Sequence, residues 1–422
     1  MFEFRKPIQI KEAVERVMKY RIEKESESIS LQDCEGRYLA EDVISSHPVP
    51  PFDKAPYDGY AIRSEDTRNA SLQNLVKFKV IDHIGAGQLS TKTVGQFEAV
   101  RIMTGAQIPD GADCVAMFEV TQDASEGDSP FFTLKRKLKK GENVGLKGSE
   151  TSEGAVLVKK GSRINPGIKA LLATFGYSYI KVARQPRVGL FATGTELLDV
   201  DEPLVPGKIR NSNAHMISAQ IKRAGGIPVY LGKLVDDFDL CFQALQKAID
   251  DVDFLITTGG VSVGDYDLMP EIYDKLGAKV LFNKIAMRPG SVTTVAALGK
   301  KLLFGLSGNP SACYVGFELF SRPIIQAAQY TERPFTPKIE ATLGTDFPKA
   351  NPFMRFVRSY IDFEDGQVFV YPAGLDKSAA VTSLADTNAL MILPGGTRGY
   401  EKGDKVNVLL LETLQGSSVI WE

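Results

Sequence analysis

Two cations, Lys284 and Arg288, stand four residues apart between two glycine-rich loops, TTGGVSVG at 257–264 and SGNPSA at 307–312. Each loop follows a short apolar run, FLI at 254–256 or KLLFGL at 301–306, and precedes a helical pattern. A strand that stops at glycines and delivers a helix start presents backbone N–H groups unobstructed by side chains, a setting that suits an anion. Gly259, Gly260, Ser262 and Gly264 in the first loop, and Ser307, Gly308, Asn309 and Ser311 in the second, are therefore candidate contacts for a phosphate or another oxyanion. Lys284 and Arg288 supply the charge. Carboxylates gather at the same kind of place: Glu196 follows Gly194 at the end of VGLFATGTE, Asp236 and Asp237 follow PVYLGKLV, and Asp265 and Asp267 follow the TTGG loop. Oxygen ligands at three successive strand ends would hold a hard divalent cation beside a phosphate; taken singly, each acid is more often a helix cap. Asp58 stands one residue before the end of HPVPPFDKAPYDG, whose four prolines stiffen the approach to a DG turn. Thr104, beside Gly105 at the end of AVRIM, is a hydroxyl for either a turn or a ligand.

Positioning these residues requires several cores. A chain of 422 residues accommodates about three domains at roughly 150 residues each, and the pattern divides into four parts. Residues 1–45 and 146–185 read as one mixed α/β domain, opening with a packing helix whose apolar face is Ile10, Ala13, Val14, Val17 and Met18. Residues 46–145 form an inserted β domain of short turn-bounded runs, with the basic stretch from Lys135 to Lys140 as a solvated hairpin face. From 186 to 326, regular strand–helix alternation predicts an open, mostly parallel α/β sheet with right-handed crossovers, and acids at strand ends lie where such sheets bind ligands. Residues 327–422 read as a C-terminal β domain. There Arg355 and Arg358 of MRFVRS are either strand surface charge or groups that reach a ligand phosphate.

Composition excludes several classes. The net charge of -2 leaves no basic excess for nucleic acid. No apolar run approaches the roughly 20 residues of a membrane helix and MFEFRKPIQI lacks an apolar signal core, which predicts a cytoplasmic protein. Cys34, Cys114, Cys241 and Cys313 are widely spaced and without a CxxC pair, which disfavours a zinc site or a disulfide framework. GGVSVG is not GxGxxG, and there is no GxxxxGK[ST], so neither common nucleotide loop is present.

The blocks PYDGYAIR, RIMTGAQIPDGAD, FATGTEL with PGKIRNSN, ITTGGVSVGDYD, the KxxxRPG of Lys284–Gly290, and GLSGNPSACYVGFELF occur in this order. Together they cover essentially the whole chain and resemble the MoeA family, molybdopterin molybdenumtransferases related to the gephyrin E domain, with the greatest similarity to Gram-positive bacterial members. The resemblance implies a MogA-like central α/β domain and an enzyme that takes adenylylated molybdopterin and molybdate, releases AMP and molybdenum cofactor, and uses a divalent ion such as magnesium. It implies a homodimer whose site lies between the α/β domain of one protomer and the β domain of the other, and a MogA-type adenylyltransferase as a partner. By motif, Asp58, Thr104, Glu196, Asp236 or Asp237, Asp267, Lys284 and Arg288 fall on functional positions. This chain has RPGSV where members often carry KPGKP, so Arg288 and Ser291 stand at common lysine positions. Two competing readings are an adenylyltransferase, which the β regions argue against, and a binding scaffold, which the set of charged residues argues against.

Overall fold

The computed structural model describes residues 6–22, 24–127, 129–235, 237–260, 268–350, 352–413, 416–417 and 419–421. The chain forms two compact units, one of residues 1–41, 160–170 and 178–422, the other of residues 42–159 and 171–177.

The larger unit is built on a six-stranded sheet in the order Ile227–Leu234, Arg187–Thr193, Phe254–Thr258, Lys301–Leu306, Thr294–Leu298, Lys279–Phe282. The first four strands run parallel. Thr294–Leu298 runs antiparallel to both its neighbours, so the sheet is mixed rather than built by regular alternation. The reason is local: Leu298 pairs with Lys301, leaving Gly299-Lys300 as a two-residue connection. So short a link can join only antiparallel strands, because a parallel crossover takes a dozen residues or more. The sheet is buried on both faces. Phe254 and Ile256 join the core that includes Val188, Phe304 and the helix Ser212–Ala224, whereas Leu255 joins the opposite core with Leu303, Leu245 and Tyr273. This alternation is why the run reads as continuously apolar.

The helix Ile10–Met18 buries Ile10, Ala13, Val14, Val17 and Met18, the face its periodicity gives, in the first of these cores. Just before it, Ile8 donates to the Lys284 carbonyl (3.1 Å) and accepts from Ala286 N–H (2.9 Å), which anchors the backbone beneath the candidate cations. Five further strands, Lys338–Leu343, Met354–Glu364, Gln367–Pro372, Ala389–Leu393 and Lys405–Leu410, form a closed β ring. Met354–Glu364 closes it by pairing with Ala389–Leu393 through its first half and with Gln367–Pro372 through its second. On the edge of this ring, Met287–Arg288 runs parallel to Met354–Arg355.

The smaller unit carries a six-stranded sheet, Cys114–Met117, Gly59–Ile62, Glu98–Ile102, Val76–Ile84, Phe131–Leu134, Thr121–Asp123. The DG pair is not a turn here. Asp58 ends a bend and Gly59 begins the strand Gly59–Ile62, where a Cβ would lie 2.2 Å from the Ala116 carbonyl oxygen. Close approach of the neighbouring strand, not left-handed backbone, is why glycine follows Asp58. Lys135, Lys137, Lys139 and Lys140 are exposed, and Arg136 pairs with Glu142 at 2.7 Å.

Candidate functional site

Three parallel strands of the larger unit end together at Thr193, Thr258 and Leu306, and the glycine loops start there. Gly259 has φ 104°, and a Cβ on it would lie 2.7 Å from the Thr193 carbonyl oxygen. Its N–H donates to the Leu306 carbonyl at 2.9 Å. Gly259 thus ties the strand ends together, and its N–H is not aimed at a ligand as the sequence pattern implies. Gly260 (φ 68°) packs against Thr193 and Met269, and a Cβ on Gly308 would lie 3.6 Å from the Gly259 Cα, so the two loops are in contact. Gly194 takes φ 139°, and its missing side chain leaves the room that the Glu196 carboxylate occupies, 2.2 Å from a Cβ position.

The cleft at these strand ends is lined by Thr193, Glu196, Asn211, Asn213, Thr258 and Gly308. Among the described residues, Thr193 Oγ1, Thr258 Oγ1 and Asn213 Oδ1 are buried without a hydrogen-bond partner. Asn213 Nδ2 donates to the Gly308 carbonyl at 2.8 Å, which fixes the amide and leaves its oxygen unused. A buried orphaned polar atom costs about 1–3 kcal/mol, so three at one cleft mark a surface awaiting polar partners. Sequence reasoning missed all three. Of the neighbouring Asn211, Ser212 and Asn213, each able to cap a helix by residue type, Asn211 caps the Ser212–Ala224 helix, its Oδ1 accepting from Ala214 N–H at 3.1 Å. A threonine immediately before each glycine, in ATG and TTG, is the signal that could have found the other two.

The second loop divides. Ser307 Oγ accepts from Asn309 N–H at 3.2 Å, and the Asn309 side chain makes no capping bond. Ser311 is fully buried and bound to the segment between the strands Gln367–Pro372 and Ala389–Leu393, its N–H donating to the Ser378 carbonyl (3.0 Å) and its hydroxyl to the Ala380 carbonyl (2.5 Å). Asp237 caps the Phe238–Ala248 helix, accepting from Leu240 N–H at 2.9 Å. Asp236, Ser262, Gly264, Asp265 and Asp267 lie outside the described residues. Among the described residues, no group of three or more His, Cys, Asp or Glu is placed to hold a metal ion.

Lys284 and Arg288 flank a segment whose Ile285 and Met287 side chains are buried. Gly290 (φ 85°) brings this segment beside the start of the Pro310–Gly316 helix, where a Cβ would lie 3.3 Å from the Ala312 carbonyl oxygen. Neither cation has a hydrogen bond or ion pair among the described residues. Arg288 is in register with Arg355 across the parallel strand pair. Arg355 pairs with Asp376 at 2.7 Å. Arg358, whose side chain is 1% exposed, also meets Asp376 (3.1 Å) and donates to the Leu375 and Lys377 carbonyls. Burial pulls the Arg358 pKa below the usual arginine value, against the pull of Asp376. Arg358 is therefore not strand surface charge.

In the smaller unit, Asp58 and Thr104 come together. Asp58 Oδ1 accepts from both the N–H and the hydroxyl of Thr104, each at 2.7 Å. The backbone bond first, then the hydroxyl, hold the Asp58 carboxyl below the usual aspartate range, with a lesser pull from Arg101. The carboxylate is exposed, oriented and charged.

Three regional family profiles match in chain order: the MoeA N-terminal region (domain I and II) over residues 8–176, a probable molybdopterin binding domain over 189–327, and the MoeA C-terminal region (domain IV) over 340–411. The molybdopterin molybdenumtransferase of Bacillus subtilis is 57% identical over 421 residues, covering 100% of this chain and 98% of that protein. One from Staphylococcus aureus is 50% identical over 412 residues, covering 97% of each. The solved structure of a molybdopterin biosynthesis MoeA protein from Pyrococcus horikoshii is similar in fold, with a TM-score of 0.84 at 31% identity, covering 97% of this chain and 100% of that one. End-to-end agreement in sequence and fold leaves one assignment: the chain belongs to the MoeA family, the molybdopterin molybdenumtransferases.

Proposed function

We propose that this molybdopterin molybdenumtransferase binds the pyrophosphate of adenylylated molybdopterin, together with molybdate, at the strand-end cleft and the adjoining Lys284–Arg288 segment. The enzyme inserts molybdenum from molybdate and releases AMP and molybdenum cofactor, the last step of that cofactor's synthesis. The observation that carries the reading is charge imbalance: Arg288 lies in register with Arg355, and of the two only Arg355 is neutralised by a carboxylate among the described residues. Like charges on adjacent strands repel unless an anion intervenes, and a pyrophosphate or molybdate is such an anion.

Cleavage of a phosphoanhydride depends on positioning and charge stabilisation more than on a protein nucleophile. Lys284 and Arg288 hold oxyanion oxygens by charge-assisted hydrogen bonds, while Thr193, Thr258 and Asn213 orient the substrate through their unused polar atoms. Glu196, folded over Gly194 at the mouth of the cleft, and Asp58, oriented by Thr104, are the carboxylates assigned to proton handling or to orientation of substrate hydroxyls. Magnesium is proposed as the divalent ion; with Asp237 committed to capping, Asp236 and Asp267 are the carboxylates assigned to it. Bound, it neutralises pyrophosphate charge. We assign the protein to the cytoplasm and propose a homodimer in which Asp58 and Thr104 serve the partner's cleft, with substrate delivered by a MogA-type adenylyltransferase.

Purified protein incubated with adenylylated molybdopterin, magnesium and molybdate should release AMP only when molybdate is present. ATP consumption with free molybdopterin would instead indicate adenylylation, and neither activity a scaffold. A light-scattering mass near 46.1 kDa, rather than twice that, would remove the dimer.

A further inference from the structure

A second pocket, sharing no residue with the strand-end cleft, lies within the larger unit and has a volume of about 450 Å³. That is within the range of small-molecule sites, roughly 300–1,000 Å³. Lys160, Arg163 and Arg333 line it against a single carboxylate, Glu332, with Tyr38 and Ser162 between them. Lys24 adds to the local charge from outside, its Nζ 5.5 Å from the Tyr330 ring centroid, while the Lys160 Nζ lies 4.0 Å from the same ring.

The side chains of Arg163 and Arg333 have no hydrogen bond or ion pair among the described residues. Tyr38 is buried and its hydroxyl is committed to Gln326 Oε1 at 3.1 Å, so it does not serve as a polar contact.

The walls are fixed where they meet. A Cβ at Gly161 would lie 2.4 Å from the Tyr330 carbonyl oxygen, and one at Gly416 would lie 1.8 Å from the Arg333 carbonyl oxygen. Tyr330 itself adopts φ 61°, a conformation that a bulky residue keeps only where its surroundings impose it. Gly36 leaves room for the Arg163 guanidinium, whose Nη2 would be 3.1 Å from a Cβ there. Two arginines with unused donor forks in a backbone-fixed concavity match the planar, bidentate way guanidinium groups take phosphate.

We propose that this pocket is a second anion site, which takes a phosphate-bearing small molecule through Arg163 and Arg333. It does not depend on the function assigned to the strand-end cleft. Isothermal titration of the full-length protein at constant ionic strength, with inorganic phosphate and with ribose 5-phosphate as probes, tests it. The expected result is saturable binding that Lys284→Ala retains and that Arg333→Gln weakens at least tenfold. Arg333 is exposed, so its substitution leaves the fold intact, as an unchanged melting temperature without probe will show; Arg163→Gln should behave in the same way. Tighter binding of ribose 5-phosphate identifies an organic phosphate as the ligand class, and equal binding identifies phosphate itself. No saturable binding, equal binding by wild type and Arg333→Gln, or binding abolished by Lys284→Ala alone would overturn the proposal; in the last case the probes occupy the strand-end site.

Discussion

Arg288 and Arg355 are register partners on neighbouring strands, yet the molecule treats their two segments in opposite ways. Arg355 and Arg358 share the largely buried carboxylate of Asp376, which Lys349 also approaches at 3.3 Å. Lys284 and Arg288 have no carboxylate among the described residues. A charge taken out of water must be paired within the fold, so Asp376 is a requirement of the β ring. An exposed cation carries no such requirement and stays available to an anion from solution. The difference teaches where to look for ligand contacts in a chain with 50 lysines and arginines: among cations that the fold leaves unbalanced next to other cations.

The largest expected effect falls on the unbalanced segment. Lys284→Ala should cut molybdate-dependent AMP release about 10²–10³-fold, the scale seen when one preorganised charge-stabilising donor is lost, with the melting temperature almost unchanged. Asp58→Ala should fall in the same range; normal AMP release from both variants would remove the site assignment.

Asp376→Ala should do the reverse on the balanced segment. It leaves Arg358 buried without a counter-charge, at a cost of about 3–5 kcal/mol, read as a lower urea midpoint. If Asp376→Ala were as stable as wild type, the contrast between the two segments would fail.

Gly59→Ala forces a Cβ against the Ala116 carbonyl oxygen and should cost about 1–3 kcal/mol, the range for overpacking. It tests whether Asp58 is held by its strand rather than by a turn.

The smallest effect concerns pH. Because Thr104 holds the Asp58 carboxyl below the ordinary range, the carboxylate stays charged until the pH falls through that lowered value. Thr104→Val removes the hydroxyl but keeps the backbone N–H, so the Asp58 carboxyl moves back toward its ordinary range. The acid limb of the rate–pH profile should therefore shift to higher pH. An acid limb that did not move would separate Asp58 ionisation from the activity.

Much of this was legible in the chain. The apolar runs, the helix face from Ile10 to Met18 and the glycines that end the strands at Thr193 and Thr258 depend on local patterning, and each appears where its pattern places it. The pairing of Asp58 with Thr104 was not legible, because the two residues are 46 positions apart and meet through the pairing of Gly59–Ile62 with Glu98–Ile102. Nor was the mixed sheet: Gly299-Lys300 looks like any surface turn until Leu298 and Lys301 are known to pair.

The sequence by itself determined the family, the strand-end position of Gly194, Gly259 and Gly260, and the two cations around IAM, since each follows from residue type and short spacing. Tertiary structure alone decided which polar groups are already used. It assigned the Gly259 N–H to Leu306, Ser311 to the carbonyls at 378 and 380, Asp237 to a cap and Asp376 to two arginines, and among the described residues it left the charges of Lys284 and Arg288 and the Thr193, Thr258 and Asn213 side-chain oxygens without partners. Hydrogen-bond and charge satisfaction is a property of neighbours in space, and a residue's letter does not carry its neighbours.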